Sequence, residues 1–123
     1  MLLVEIDEKN RIAILEPDGP LSKKDFELAA NVIDPYIEIS GSLNGLIIHV
    51  ESFPGWDSFA ALCSHLTFVK DHHKKISHVA FSTDSMVGDF AKIVASHFIN
   101  AEIKVFSFQE LELAKEWIKD STQ

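Results

Sequence analysis

The sequence predicts a single α/β domain: a mixed, mostly parallel five-stranded sheet with about four helices packed on it, in the order β-β-α-β-α-β-α-β-α. Three observations carry this prediction. A short alternating hairpin opens the chain. Two later apolar runs have the character of strands buried on both faces, and Ala101 to Phe106 adds a last strand. The stretches between and after them carry apolar residues at helical spacing. A chain of 123 residues suits one core, so residues 1–123 are read as one domain. Its 46% hydrophobic and 24% charged content is ordinary globular usage.

The elements follow in order. Leu2 to Asp7 alternates as a strand, Asp7-Glu8-Lys9-Asn10 turns, and Arg11 to Glu16 returns as the second strand of a hairpin. Pro17-Asp18-Gly19-Pro20 stops it. Ser22 opens a capping pattern with Asp25, and Phe26, Ala29, Ala30, Ile33 and Ile37 form the inner stripe of a helix. Pro35 lies inside that pattern and is expected to kink the helix or to start a short second one capped by Asp34. Ser40 to Gly45 reads as a loop, and Leu46 to Val50 as a strand buried on both faces. After the turn Ser52-Phe53-Pro54-Gly55, Asp57 or Ser58 caps a helix whose inner stripe is Phe59, Leu62, Cys63, Leu66 and Val69. Ile76 to Phe81 is another strand. A helix with Met86, Phe90, Ile93, Val94 and Phe98 follows it. Ala101 to Phe106 is the last strand, and Gln109 to Lys119 the last helix, with Leu111, Ala114, Trp117 and Ile118 inward.

Composition excludes several function classes. Eleven basic residues stand against nineteen acidic ones, a formal charge of −8. Binding to nucleic acid by counterion release needs the opposite balance, so no nucleic-acid partner is expected. No apolar run approaches the roughly 18 residues that would mark a membrane-spanning helix. Met1 leads into Leu2-Leu3-Val4-Glu5 without a basic start, so no signal peptide and a cytoplasmic location are expected. Cys63 is the one cysteine, which rules out an internal disulfide and a cysteine zinc site. The six histidines match no metal-ligand spacing, and no cofactor motif occurs among the five scattered glycines. Neither a metal nor a cofactor is expected.

The segment from Trp56 to Ile118 carries a resemblance. Trp56-Asp57 opens a helix ending in Leu66-Thr67-Phe68. A basic junction, His72-His73-Lys74-Lys75, leads to His78-Val79-Ala80-Phe81. Phe98 to Phe106 reads Phe-Ile-Asn-Ala-Glu-Ile-Lys-Val-Phe, and Glu110, Ala114, Trp117 and Ile118 close the pattern. In these motifs and in element order the chain resembles the SpoIIAA-like family of small bacterial STAS/Sec14-type proteins. The resemblance implies a STAS-like fold, homodimers, no enzymatic activity, and binding of proteins or apolar small molecules. STAS anti-sigma antagonists carry an Asp-Ser-Ser-Gly-type segment with a phosphorylated serine. This chain keeps only Asp57-Ser58 of it, followed by Phe59-Ala60.

Ligands of parallel sheets gather outside the carboxyl ends of the strands. That edge should collect Pro17-Asp18-Gly19, Glu51 to Ser58, Ser82 to Ser85 and Ser107-Phe108. The candidate rim for a ligand or partner is Phe53, Trp56, Asp57, Ser58 and Asp84. The aromatic pair equally suits a lid on the core. Ser58 is a candidate phosphoacceptor at a helix N-terminus, and an N-cap serine by the same chemistry. Phe68 lies about half a turn from the inner stripe, beside Ala61 and His65, and marks a candidate homodimer face. Glu51, Asp57 and Asp84 are the carboxylates available for acid–base work, but capping explains them as well, and no catalytic residue is assigned. Three readings follow: a non-enzymatic STAS-like binding or interaction module, a Sec14-like carrier of an apolar small molecule or lipid, and a cryptic enzyme.

Overall fold

The computed structural model describes residues 2–18, 23–41, 43–51, 76–84 and 102–121. Its elements are β1 (Leu2–Asp7), β2 (Ile12–Pro17), α1 (Lys23–Ser40), β3 (Leu43–His49), β4 (Ile76–Ser82), β5 (Glu102–Phe106), a 3-10 turn (Phe108–Glu110) and α2 (Leu111–Ser121). The five strands lie side by side in sequence order. β1 and β2 pair antiparallel, and every later pair is parallel. The mixed, mostly parallel five-stranded sheet is therefore present. Two of the expected helices, α1 and α2, are described. The other two, after Ser58 and after Ser85, lie outside the described residues.

Because each parallel step moves the same way across the sheet, right-handed connections all fall on one face. α1 is such a connection. α2 follows the last strand and packs on the reverse face, where Ala114 and Ile118 meet Ile12, Ile14, Ile47 and Ala80. The register explains this set. Ile12 stands opposite Gly45, and Gly45 opposite His78, while Ile14, Ile47, Ala80 and Lys104 form the next row. The alternate residues Ala13, Leu15, Leu46, Ile48, Val79 and Phe81 point the other way and are also buried. The apolar runs are continuous because the central strands are covered on both faces.

Several local expectations are corrected. Arg11 is not in the strand but in the turn, with φ 55°, and β2 runs from Ile12 to Pro17. α1 continues through Pro35 without starting a second helix, so Asp34 is an interior residue and not a cap. Pro35 and Asn31, whose carbonyl loses its helical partner, are both exposed, so the missing bond lies on the solvent side of the helix. Ile33 and Ile37 are fully buried and hold the helix together across that point. Gly41, at φ 90°, ends it by donating to the Ile37 carbonyl at 2.7 Å.

β3 begins at Leu43, three residues before the expected strand. Asn and Gly are poor strand formers, so Asn44-Gly45 reads locally as loop. Tertiary bonds override that preference. The Asn44 amide donates to the Arg11 carbonyl at 2.8 Å, and its side chain donates to the Asn10 carbonyl at 2.9 Å.

The hairpin turn is fixed by Asp7, which accepts from the Asn10 amide at 3.2 Å and from its side-chain nitrogen at 3.0 Å. Burial pushes the Asp7 carboxyl up, but the Asn10 bonds, the Lys115 ammonium and the Lys9 amide outweigh it and hold the carboxyl below its usual value. A carboxyl lowered on folding adds stability above its unfolded pKa and loses it as pH falls through the folded value. Asp7→Asn is therefore expected to melt earlier than wild type near neutral pH, the gap narrowing as the pH falls below the ordinary carboxyl value of 3.8 and through the lower folded one. Parallel urea melts across pH 2–7 check this, and a gap that persists unchanged at the acid end would refute it.

Candidate functional site

The carboxyl ends of β3 and β4 converge on Phe108. Its amide donates to the Asp84 carboxylate at 3.0 Å. Its carbonyl faces His49 Nε2 at 3.0 Å and accepts from the Ser82 hydroxyl at 3.4 Å; that hydroxyl also donates to the Ser107 carbonyl at 2.9 Å. The His49 and Phe108 rings stack, with centroids 4.4 Å apart and planes 5° from parallel. The last helix is thus clamped to the sheet through the backbone of one residue. Glu110 closes the turn by accepting from the Ser107 amide at 2.8 Å. Backbone bonds extend the clamp: Thr83 N–H to the Phe106 carbonyl, Val50 N–H to that of Ser82, and Asp84 N–H to that of Glu51.

A carbonyl can only accept, so the His49 contact places the proton on Nε2. Nδ1 then faces Glu16, 3.6 Å from its carboxylate. That distance is too long for a hydrogen bond, and Nδ1 is buried without one. It is short enough for an ion pair whenever the ring is protonated.

Glu16, His49 and Ser82 superficially form an acid–histidine–serine row, because His49 stands opposite Ser82 in the register and Glu16 faces the same side. The geometry is not that of a nucleophile and base. Ser82 is fully buried, its hydroxyl proton is committed to backbone carbonyls, and the histidine nitrogen nearest to it donates to the same carbonyl.

In front of this clamp, on the α2 face, a cleft of about 410 Å³ opens between Leu3, Glu16, Pro17, Asp18, His49, Val50, Glu51 and Phe108. Its size falls within the roughly 300–1,000 Å³ of small-molecule clefts. It exists because α2 covers β3 to β5 but not the end of β1, where Leu3 remains half-exposed. Its lining is about half polar and half apolar: Leu3, Pro17, Val50 and the Phe108 ring stand with His49 and the three carboxylates Glu16, Asp18 and Glu51.

The expected strand-end edge is therefore where a cleft occurs, and Pro17, Asp18, Glu51 and Phe108 from that edge line it. Asp84 sits beside it, exposed, with its carboxylate engaged by the Phe108 amide. The rim residues Phe53, Trp56, Asp57 and Ser58, and the dimer-face residues Ala61, His65 and Phe68, lie outside the described residues. Leu3, Glu16, His49 and Val50 were not anticipated as site residues. One signal pointed to His49: a polar residue at the carboxyl end of an otherwise apolar strand.

No group of three or more potential metal ligands occurs among the described residues. No described helix is long and apolar enough to cross a membrane. Among known proteins, the SpoIIAA-like family model matches residues 12–119. No curated protein and no solved structure matches the chain.

Proposed function

Because the chain belongs to the SpoIIAA-like family, we propose that it is a non-enzymatic binding and interaction module whose ligand or partner group enters the cleft between Glu16, His49 and Phe108. The observation that carries this reading is the cleft itself: a concave, partly apolar site whose aromatic wall, Phe108, is held through its backbone by the side chains of His49, Ser82 and Asp84. Pre-organisation of this kind lowers the entropic cost of binding. The commitment of Ser82 and His49 to the Phe108 carbonyl supports binding over hydrolysis. The carboxylates of Glu16, Asp18 and Glu51 suit a ligand with an apolar body and a cationic or hydrogen-bond-donating end better than a wholly apolar cargo.

Amide NMR of the full chain with a mixed set of small amphipathic amines, acids and neutral aromatics tests this. Shifts are expected to cluster on Leu3, Glu16, Val50 and Phe108. Leu3→Arg, which fills the mouth from a half-exposed position, is expected to weaken those hits about tenfold or more, roughly 1.4 kcal/mol. Hits scattered over the surface, or a cluster indifferent to Leu3→Arg, would overturn the proposal.

A further inference from the structure

β1 and β5 are the two edges of the sheet. An open edge is a template for pairing with another chain, and proteins normally blunt it. Among the described residues nothing pairs with the outer edge of β5, and Val105 there is 50% exposed.

Which amides face outward follows from one bond. The Phe106 carbonyl accepts from the Thr83 amide at 2.9 Å, so Phe106 directs its backbone polar groups toward β4. Backbone groups alternate sides along a strand. Glu102 and Lys104 therefore bond inward as well, and Ile103 and Val105 present their N–H and C=O groups to the open edge.

A two-fold symmetric antiparallel pairing of β5 with itself places its axis either at an outward-facing residue, as a hydrogen-bonded pair, or at an inward-facing one, as a non-hydrogen-bonded pair. An axis at Glu102 or Lys104 opposes like charges, and one at Phe106, the last residue of β5, pairs little of the strand. Within β5 this leaves Ile103 or Val105. An axis at Val105 sets Lys104 against the ring of Phe106 and leaves Glu102 without a cationic partner. An axis at Ile103 makes an Ile103–Ile103 hydrogen-bonded pair and sets Glu102 of each copy opposite Lys104 of the other, twice by symmetry. Directly opposed unlike charges favour such a pairing. Both side chains are exposed and lie on the same face. β1 offers no equivalent, because its only charges are the acidic Glu5 and Asp7.

The geometry points to a second copy of this chain as the occupant of the β5 edge, joined antiparallel about Ile103 into a continuous ten-stranded sheet with reciprocal Glu102–Lys104 ion pairs. Each copy also keeps its own contacts. Lys104 lies 5.3 Å from the centre of the Phe106 ring and 6.0 Å from that of Trp117, and Glu102 is 3.5 Å from His78 Nε2. These contacts hold the two charged side chains near the edge. An interface of five-residue strands is small, so a micromolar dimer is expected.

Charge exchange tests the register. Sedimentation equilibrium and native mass spectrometry are run on wild type, Lys104→Glu, Glu102→Lys and the double exchange, with thermal melts to confirm that each variant folds. Either single change opposes like charges in both symmetric pairs, and is expected to weaken the dimer about tenfold or more. The double exchange restores opposite charges and is expected to recover affinity to within about threefold of wild type. A purely structural loss of the Lys104 or Glu102 contacts within one chain would not be rescued in this way. A monomeric wild type, a dimer indifferent to the single changes, or a double exchange no better than the singles would overturn the inference. So would a dimer broken by Phe68→Asp alone, which would place the contact at that residue. Cleft binding is read separately by NMR, so failure of the dimer leaves the binding proposal standing, and the reverse holds too.

Discussion

Phe81→Ala is expected to lower the folding free energy by about 3–5 kcal/mol, the usual cost of removing a buried ring and leaving a cavity. Among the described residues Phe81 heads the fully buried side chains by volume, and it has no solvent exposure. It stands on β4 between Ile48 on β3 and Val105 on β5, with strands on both sides, so the sheet has little freedom to close over the gap. A domain of this size has a total stability of about 5–15 kcal/mol, and the loss would consume a large part of it. Urea unfolding measures the effect as a lowered midpoint at unchanged slope. Val105→Ala, on the same row but half-exposed at the edge, is the internal control and should cost less than about 1 kcal/mol. Equal losses at both positions would contradict the assignment of Phe81 to a closed interior.

Gly45→Ala is expected to cost about 1–3 kcal/mol by overpacking. A methyl group there would meet Ile118 Cδ1 at 2.5 Å, Cγ2 at 2.7 Å and Cγ1 at 3.0 Å. Ile118 is fully buried and β-branched, so it has few rotamers to retreat into. The glycine thus sets how closely α2 approaches β3. Ile118→Ala alone is expected to cost about 2–5 kcal/mol. In the double variant the new methyl occupies space that Ile118 vacated, so the combined loss should fall short of the sum by about 1–2 kcal/mol. The four proteins compared by urea midpoint give this coupling directly. Strict additivity would mean that the two side chains do not share the space.

The same residues show what could be read before folding. Strand and helix positions were legible where periodicity was strong. Ile33 and Ile37 announced α1, and Ala114 and Ile118 announced the inner face of α2, because a buried stripe must recur at helical spacing. Asn44-Gly45 was not legible as strand. Local preference there opposes the pairing, and only the bonds to Arg11 and Asn10 and the approach of Ile118 decide it. Pro35 was expected to kink the helix or to start a second one capped by Asp34, for a sound local reason. Helix packing on both sides of the proline outweighed it.

The candidate site divides in the same way. Hydrophobic patterning and element order in the sequence by themselves determined the mixed, mostly parallel sheet and the strand-end edge on which a cleft would open, and the motifs from Trp56 to Ile118 carried the resemblance to its family. They could not determine which side chains meet there. Glu16, His49, Ser82 and Phe108 are far apart in the chain, and they converge because the inter-strand register puts three strand ends level and α2 returns over that row. Register depends on backbone hydrogen bonds between distant segments, and no local pattern encodes it. The tertiary structure also decided which edge amides of β5 face outward, and so which charges a second copy would meet.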